Sequence, residues 1–84
     1  MYTVNSKIII QNIDDECLVL DTDGNQIIVI NETAQLILNR LTLGSSYTDI
    51  LQTLRSDYQV GEEQAESDLD EIISKFKELN IIIE

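Results

Sequence analysis

The chain contains no histidine, no proline and no tryptophan, and a single cysteine, Cys17. Each absence closes off some chemistry. Without histidine the sequence lacks the usual general base near neutral pH and the commonest metal ligand. Structural zinc sites built from Cys and His are excluded on the same count. One cysteine leaves no partner for an intramolecular disulfide. Cys17 lies in the apolar run Cys17-Leu18-Val19-Leu20, where a small buried core residue is the expected role rather than a nucleophile. Basic residues are scarce as well: 5 Lys and Arg stand against 16 Asp and Glu, for a net charge of -11. Nucleic acid is held through its phosphates by Lys and Arg, so direct binding to DNA or RNA is disfavoured. An acidic surface favours basic partners, and it also serves simply to keep a chain soluble. No apolar run approaches the ~18 residues of a membrane span or the ~7–15 of a secretory signal. A cytoplasmic location with no membrane partner is expected.

The sequence does hold enough apolar residues to fold. Its 84 residues are 43% hydrophobic, which suits one small globular domain over residues 1–84. A domain of this size buries only ~60–65% of its unfolded surface, which leaves little room for an enclosed active site. Lys7-Ile8-Ile9-Ile10 reads as a strand. Glu16 to Asp21 and Gln26 to Ile30 read as two more, joined through Asp23-Gly24, a hairpin signal whose residues tolerate positive φ. The polar stretch Asn12 to Asp15 reads as a turn between the first two strands.

Three helices follow. Asn31 is placed as an N-cap for a helix to about Leu41, with Ala34, Leu38 and Leu41 on one stripe and Ile37 beside it. Gly44 ends that region. Ser46 and Asp49 resemble a capping box for a second helix to about Asp57, with Ile50, Leu51 and Leu54 as its apolar face. The third helix spans about Glu62 to Leu79, with Ala65, Leu69, Ile72, Ile73, Phe76 and Leu79 at three- and four-residue spacing. Its acidic start and the lysines near its end suit the helix dipole. Asn80 is a candidate C-terminal cap. Ile81 to Ile83 is either a short last strand or a tail folding onto the core. Segregated strands and helices indicate an α+β fold, and two short helices before a long one indicate a winged-helix-like arrangement: a three-stranded antiparallel sheet followed by three helices. Such a sheet has two open edges.

From Leu18 onward the chain resembles the PqqD-like family, also called RiPP recognition elements, which act on ribosomally made, post-translationally modified peptides. The resemblance rests on Ile30-Asn31-Glu32-Thr33-Ala34 after a strand-turn-strand, then Ile37 and Leu41-Thr42-Leu43-Gly44. It continues with Ser46, Asp49-Ile50 and Leu54, then Tyr58 and Val60. The last block is Asp68-Leu69, Ile72, Phe76, Leu79 and Ile82. The family often has Trp near Leu38 and Gly near Asn80; neither is present here.

The resemblance implies a non-catalytic binding domain with no cofactor. The leader segment of a precursor peptide would add as an antiparallel strand to the open edge of the third strand, in a groove against the third helix. Gln26, Ile27, Ile28, Val29 and Ile30 would supply backbone groups that pair whatever the side chains are. Asp68, Leu69, Ile72 and Phe76 would line the groove, with Asp68 or Glu71 taking a leader Lys, Arg or Tyr hydroxyl. Ordinary core packing is the commoner role for the isoleucines, Leu69, Ile72 and Phe76, and a solvated helix-surface carboxylate is the commoner role for Asp68.

The partners implied are the precursor leader peptide and either a leader peptidase or another RiPP-modifying enzyme, in a monomer or weak homodimer. A short free-standing chain suits lasso-peptide biosynthesis, with a leader peptidase and a cyclase. Pyrroloquinoline quinone biosynthesis with a radical SAM enzyme is the alternative inside the family. A winged-helix DNA-binding regulator is the alternative outside it, but the second helix has only Arg55 and the third only Lys75 and Lys77 amid acids. Asp68, Asp70 and Glu71 cluster, which is the feature an enzyme reading rests on, yet Asp68 and Glu71 on one helix face are far more often a solvated pair than an acid/base dyad.

Overall fold

The computed structural model describes residues 2–83. Strands β1 (Thr3–Val4), β2 (Ile8–Ile13), β3 (Glu16–Asp21) and β4 (Gln26–Ile30) come first. Helices α1 (Glu32–Thr42), α2 (Tyr47–Tyr58) and α3 (Glu62–Glu78) follow, then β5 (Ile82–Ile83). This is the expected α+β arrangement, with β2, β3 and β4 forming the three-stranded antiparallel sheet in that order. The strand expected over Lys7 to Ile10 runs on to Ile13. The turn to β3 is therefore only Asp14-Asp15, with Ile13 paired to Glu16 and Asp14 at φ 55°.

The second hairpin forms where Asp23-Gly24 indicated, but with different chemistry. Asp21 pairs with Gln26, so the loop is Thr22 to Asn25. Asp21 Oδ1 accepts the N–H groups of Asp23 at 3.0 Å and Gly24 at 3.1 Å, a side-chain mimic of a backbone turn. The left-handed residue is Asn25, at φ 55°. Gly24 serves close approach: a Cβ there would stand 2.8 Å from Asp21 Oδ2.

Helix ends follow the local chemistry. Asn31 Oδ1 accepts the Ala34 N–H at 2.8 Å, and Ser46 Oγ accepts that of Asp49 at 3.2 Å. Past α1, Gly44 at φ 81° lets its own N–H reach the Leu41 carbonyl and that of Ser45 reach Arg40. Past α3, Asn80 at φ 59° does the same job: its N–H donates to Lys77 at 3.1 Å and the Ile81 N–H to Phe76 at 2.8 Å. This left-handed cap turns the chain sharply and drops Ile81 onto Phe76, both buried.

That turn sends Ile82 and Ile83 back along the N-terminus. Val4 pairs with Ile82 and Thr3 with Ile83, making a second, two-stranded sheet. Both readings of Ile81 to Ile83 are realised: Ile82 and Ile83 pair as a short strand, and Ile81 and Ile82 are buried in the core. Val19, Ile37, Leu38, Ile50, Leu69 and Ile81 are the largest fully buried side chains, and among the described residues no polar side chain is buried with them. No helix among the described residues is long and apolar enough to cross a membrane.

Candidate peptide-binding groove

Among the described residues β4 has one strand neighbour, β3, so its other side is an open edge of the sheet. The register divides the side chains of β4 between two faces. Ile28 and Ile30 pair with Val19 and Cys17, which are buried, and so point to the helices. Ile27 and Val29 point the other way and are 69% and 60% exposed. Gln26 is exposed at the loop end. The strand is apolar on both faces, as its sequence indicated, but only one face packs.

A groove of about 250 Å³ runs between this edge and α3. Ile28, Val29, Ile30, Asn31 and Ala34 form one wall. Glu71, Ile72, Lys75, Phe76 and Leu79 form the other. Phe76 is buried, Ile72 and Leu79 are half-buried, and Glu71 and Lys75 are exposed at the rim. The result is an apolar floor with a polar lip beside a free row of backbone donors and acceptors, which is the setting for β-strand addition.

The direction of α3 along β4 is fixed at both ends. At the C-terminal end, the Asn5 side-chain amide donates to the Asn80 carbonyl and the Asn5 N–H to that of Ile81, while the Ile8 N–H returns to the Asn5 carbonyl. Ile8 pairs with Asp21, and Asp21 with Gln26. The end of α3 therefore lies at the Gln26 end of the sheet. At the other end, Asp68 shares a separate hollow with Thr33, just past Ile30. α3 runs antiparallel to β4, with Glu71 towards Asn31 and Lys75 towards the Gln26 end.

Of the residues singled out in the sequence, the structure brings together Ile28, Val29, Ile30, Glu71, Ile72 and Phe76 around the groove. Gln26 and Ile27 belong to the same strand without lining it. Leu69 does not reach it: that side chain is 0% exposed and belongs to the core. Asp68 faces the other hollow with Leu54, Tyr58 and Val60, and its Oδ1 accepts from Gln64 Nε2 at 2.8 Å. Asn31, Ala34, Lys75 and Leu79 were missed. Leu79 and Lys75 lie three and four residues from groove residues on the same helix, and that spacing was the signal available.

Two titrating groups away from the groove are perturbed. Burial raises the Cys17 thiol above its ordinary value, consistent with a core role. Tyr47 Oη donates to Asp70 Oδ1 at 2.7 Å, tying α2 to α3. That hydrogen bond, then burial, then the negative charge of Asp70 push the phenol up to about 12. Among the described residues no cluster of His, Cys, Asp and Glu is arranged to hold a metal.

The family model for coenzyme PQQ synthesis protein D (PqqD) matches residues 16–82. The chain belongs to the PqqD family. The match takes in β3, β4 and all three helices, and thus both walls of the groove. A solved structure described as lasso peptide synthetase B1 complexed with the leader peptide is similar at 29% identity, with a TM-score of 0.90, covering 99% of this chain and 98% of that one. TbiB1 in complex with the TbiA(beta) leader peptide superposes with a TM-score of 0.87 at 18% identity, covering 94% of this chain and 92% of that one; at that identity it shows the shared PqqD-type fold. No curated protein matches.

Proposed function

We propose that this PqqD-family protein binds the leader segment of a precursor peptide by strand addition to β4 and delivers it to a processing enzyme. The observation that carries this reading is the open β4 edge with an apolar groove against α3, in a chain that superposes nearly end to end on a protein solved with its leader peptide. The leader extends the sheet antiparallel to β4. Gln26 to Ile30 supply backbone pairing, Ile72 and Phe76 receive alternate leader side chains, and Glu71 meets a donor at the rim. Leu69 acts from beneath, by holding α3 in place, and Asp68 lies outside the bound segment.

The domain itself performs no chemistry in this account and needs no cofactor. Bond-making belongs to the partner: in lasso-peptide biosynthesis, a leader peptidase and a cyclase. The likeness to a lasso peptide synthetase B1 favours that pathway. The family match keeps a second reading in view, a peptide chaperone for a radical SAM enzyme in pyrroloquinoline quinone synthesis, and the neighbouring genes separate the two. The net charge of -11 argues against DNA as the ligand.

Calorimetric titration with the leader encoded beside the gene tests the proposal. Saturable binding that a scrambled leader does not reproduce is the expected result. Equal binding of both peptides, or of neither, contradicts it.

A further inference from the structure

The groove carries one acid and one base on its helical wall, Glu71 and Lys75. They stand in the order that favours an ion pair within a helix, with Glu four residues before Lys. Yet among the described residues neither has an ion pair or a side-chain hydrogen bond. Both are exposed at the lip, their charges unspent beside a floor of Ile72 and Phe76.

Their separation matches a strand. Four residues of α-helix rise about 6 Å. Two residues of an antiparallel strand rise about 6.8 Å and return to the same face. A peptide antiparallel to β4 runs in the same direction as α3, because α3 is itself antiparallel to β4. Its residue i, turned to the helix beside Glu71, is followed by residue i+2 beside Lys75. Long polar side chains suit both places, with their stems over the apolar floor and their charged ends at the lip. The surroundings reinforce the polarity: Asp14, Asp15, Glu16 and Glu32 ring the hollow that continues past Asn31, which makes the end where the peptide enters the more negative one.

We propose that Glu71 and Lys75 set the register and direction of the bound peptide by selecting a basic residue followed two positions later by an acidic one. This rests on the strand-addition reading above and deepens it: the groove has a charge order as well as an apolar floor. Lys75 becomes a specificity-determining residue, and a reversed peptide or one slipped by a single residue presents the wrong charges.

A positional scan tests this whatever the native leader contains. Each residue of the co-encoded leader is replaced in turn by Lys and by Asp, and the dissociation constants are measured at low salt for the wild type and for E71K/K75E. The wild type is expected to prefer Lys at one position and Asp two residues downstream, each by about threefold or more, with the preference fading in high salt. In E71K/K75E both preferences invert. Both residues are exposed, so the double variant is expected to fold, and its circular dichroism checks this. Binding with no positional charge preference, or with preferences that survive the exchange unchanged, overturns this inference and leaves strand addition standing. If no leader peptide binds the wild type, the two fall together.

Discussion

The side-chain amide of Asn5 donates to the carbonyl of Asn80 at 2.9 Å, and its backbone N–H donates to the carbonyl of Ile81 at the same distance. These bonds join the start of the chain to the end of α3, 75 residues away. Asn5 Oδ1 also accepts the Lys7 N–H at 3.0 Å, just before β2 begins. One side chain thus fastens the sheet to the helix and holds the far end of the groove. Asn5→Ala removes both side-chain bonds. The expected loss is about 1–2 kcal/mol of stability, read by urea unfolding, with weaker leader binding at temperatures where the protein is still folded.

The two helix residues Leu69 and Ile72 should separate stability from binding. Leu69→Ala opens a cavity in the core and is expected to cost about 2–5 kcal/mol. Ile72→Ala removes a half-buried groove side chain. It should cost only about 1 kcal/mol of stability but weaken the leader roughly tenfold. Asp68→Ala should leave affinity within about twofold of wild type, because Asp68 faces the hollow beside Thr33. Calorimetry and thermal melts on the three variants decide the matter.

Backbone pairing makes its own prediction. In an added antiparallel strand, successive peptide N–H groups point alternately to β4 and away from it. N-methylation along the leader should therefore weaken binding at every second residue, by roughly tenfold where a bond is lost and the methyl group clashes. A flat profile along the peptide would show that side chains alone hold it.

The alkaline limb of stability reports on the contact between α2 and α3. Tyr47 has its pKa raised from 10.0 to about 12 in the folded protein, chiefly by its hydrogen bond to Asp70. The folded state holds that proton more tightly than the unfolded state. The stabilisation is thus complete below about pH 10 and is lost as the pH rises towards about 12. Tyr47→Phe should be less stable than wild type near neutral pH, and the gap should close over that window. Denaturation at a series of alkaline pH values measures it.

Much of this was legible in the sequence because its signals are local. Alternating and β-branched residues marked the strands, Asn31 and Ser46 marked helix starts, and Gly44 and Asn80 marked helix ends. β1 was not legible: Thr3–Val4 is two residues long and exists because Ile82–Ile83 pairs with it from the other end of the chain. That Asp68 does not line the groove also has a geometric cause. Asp68, Ile72 and Phe76 recur every four residues, but each such step overshoots a full helical turn by about 40°. The row therefore winds around α3, and its first member lies beside Thr33, beyond the end of β4. In the sequence Lys75 reads as a complement to the helix dipole and as one of the few basic residues of the third helix, not as part of the groove. Its place on the lip follows from the packing of α3 against β4, which no local pattern encodes.

Residue-by-residue NMR titration with the co-encoded leader tests the central claim most directly. The account predicts shifts concentrated in Gln26 to Ile30 and in Glu71, Ile72, Lys75 and Phe76, with exchange protection appearing along the open side of β4. Shifts confined to the outward face of the sheet, around Ile9 and Ile13, or no shifts at saturating peptide, would contradict it.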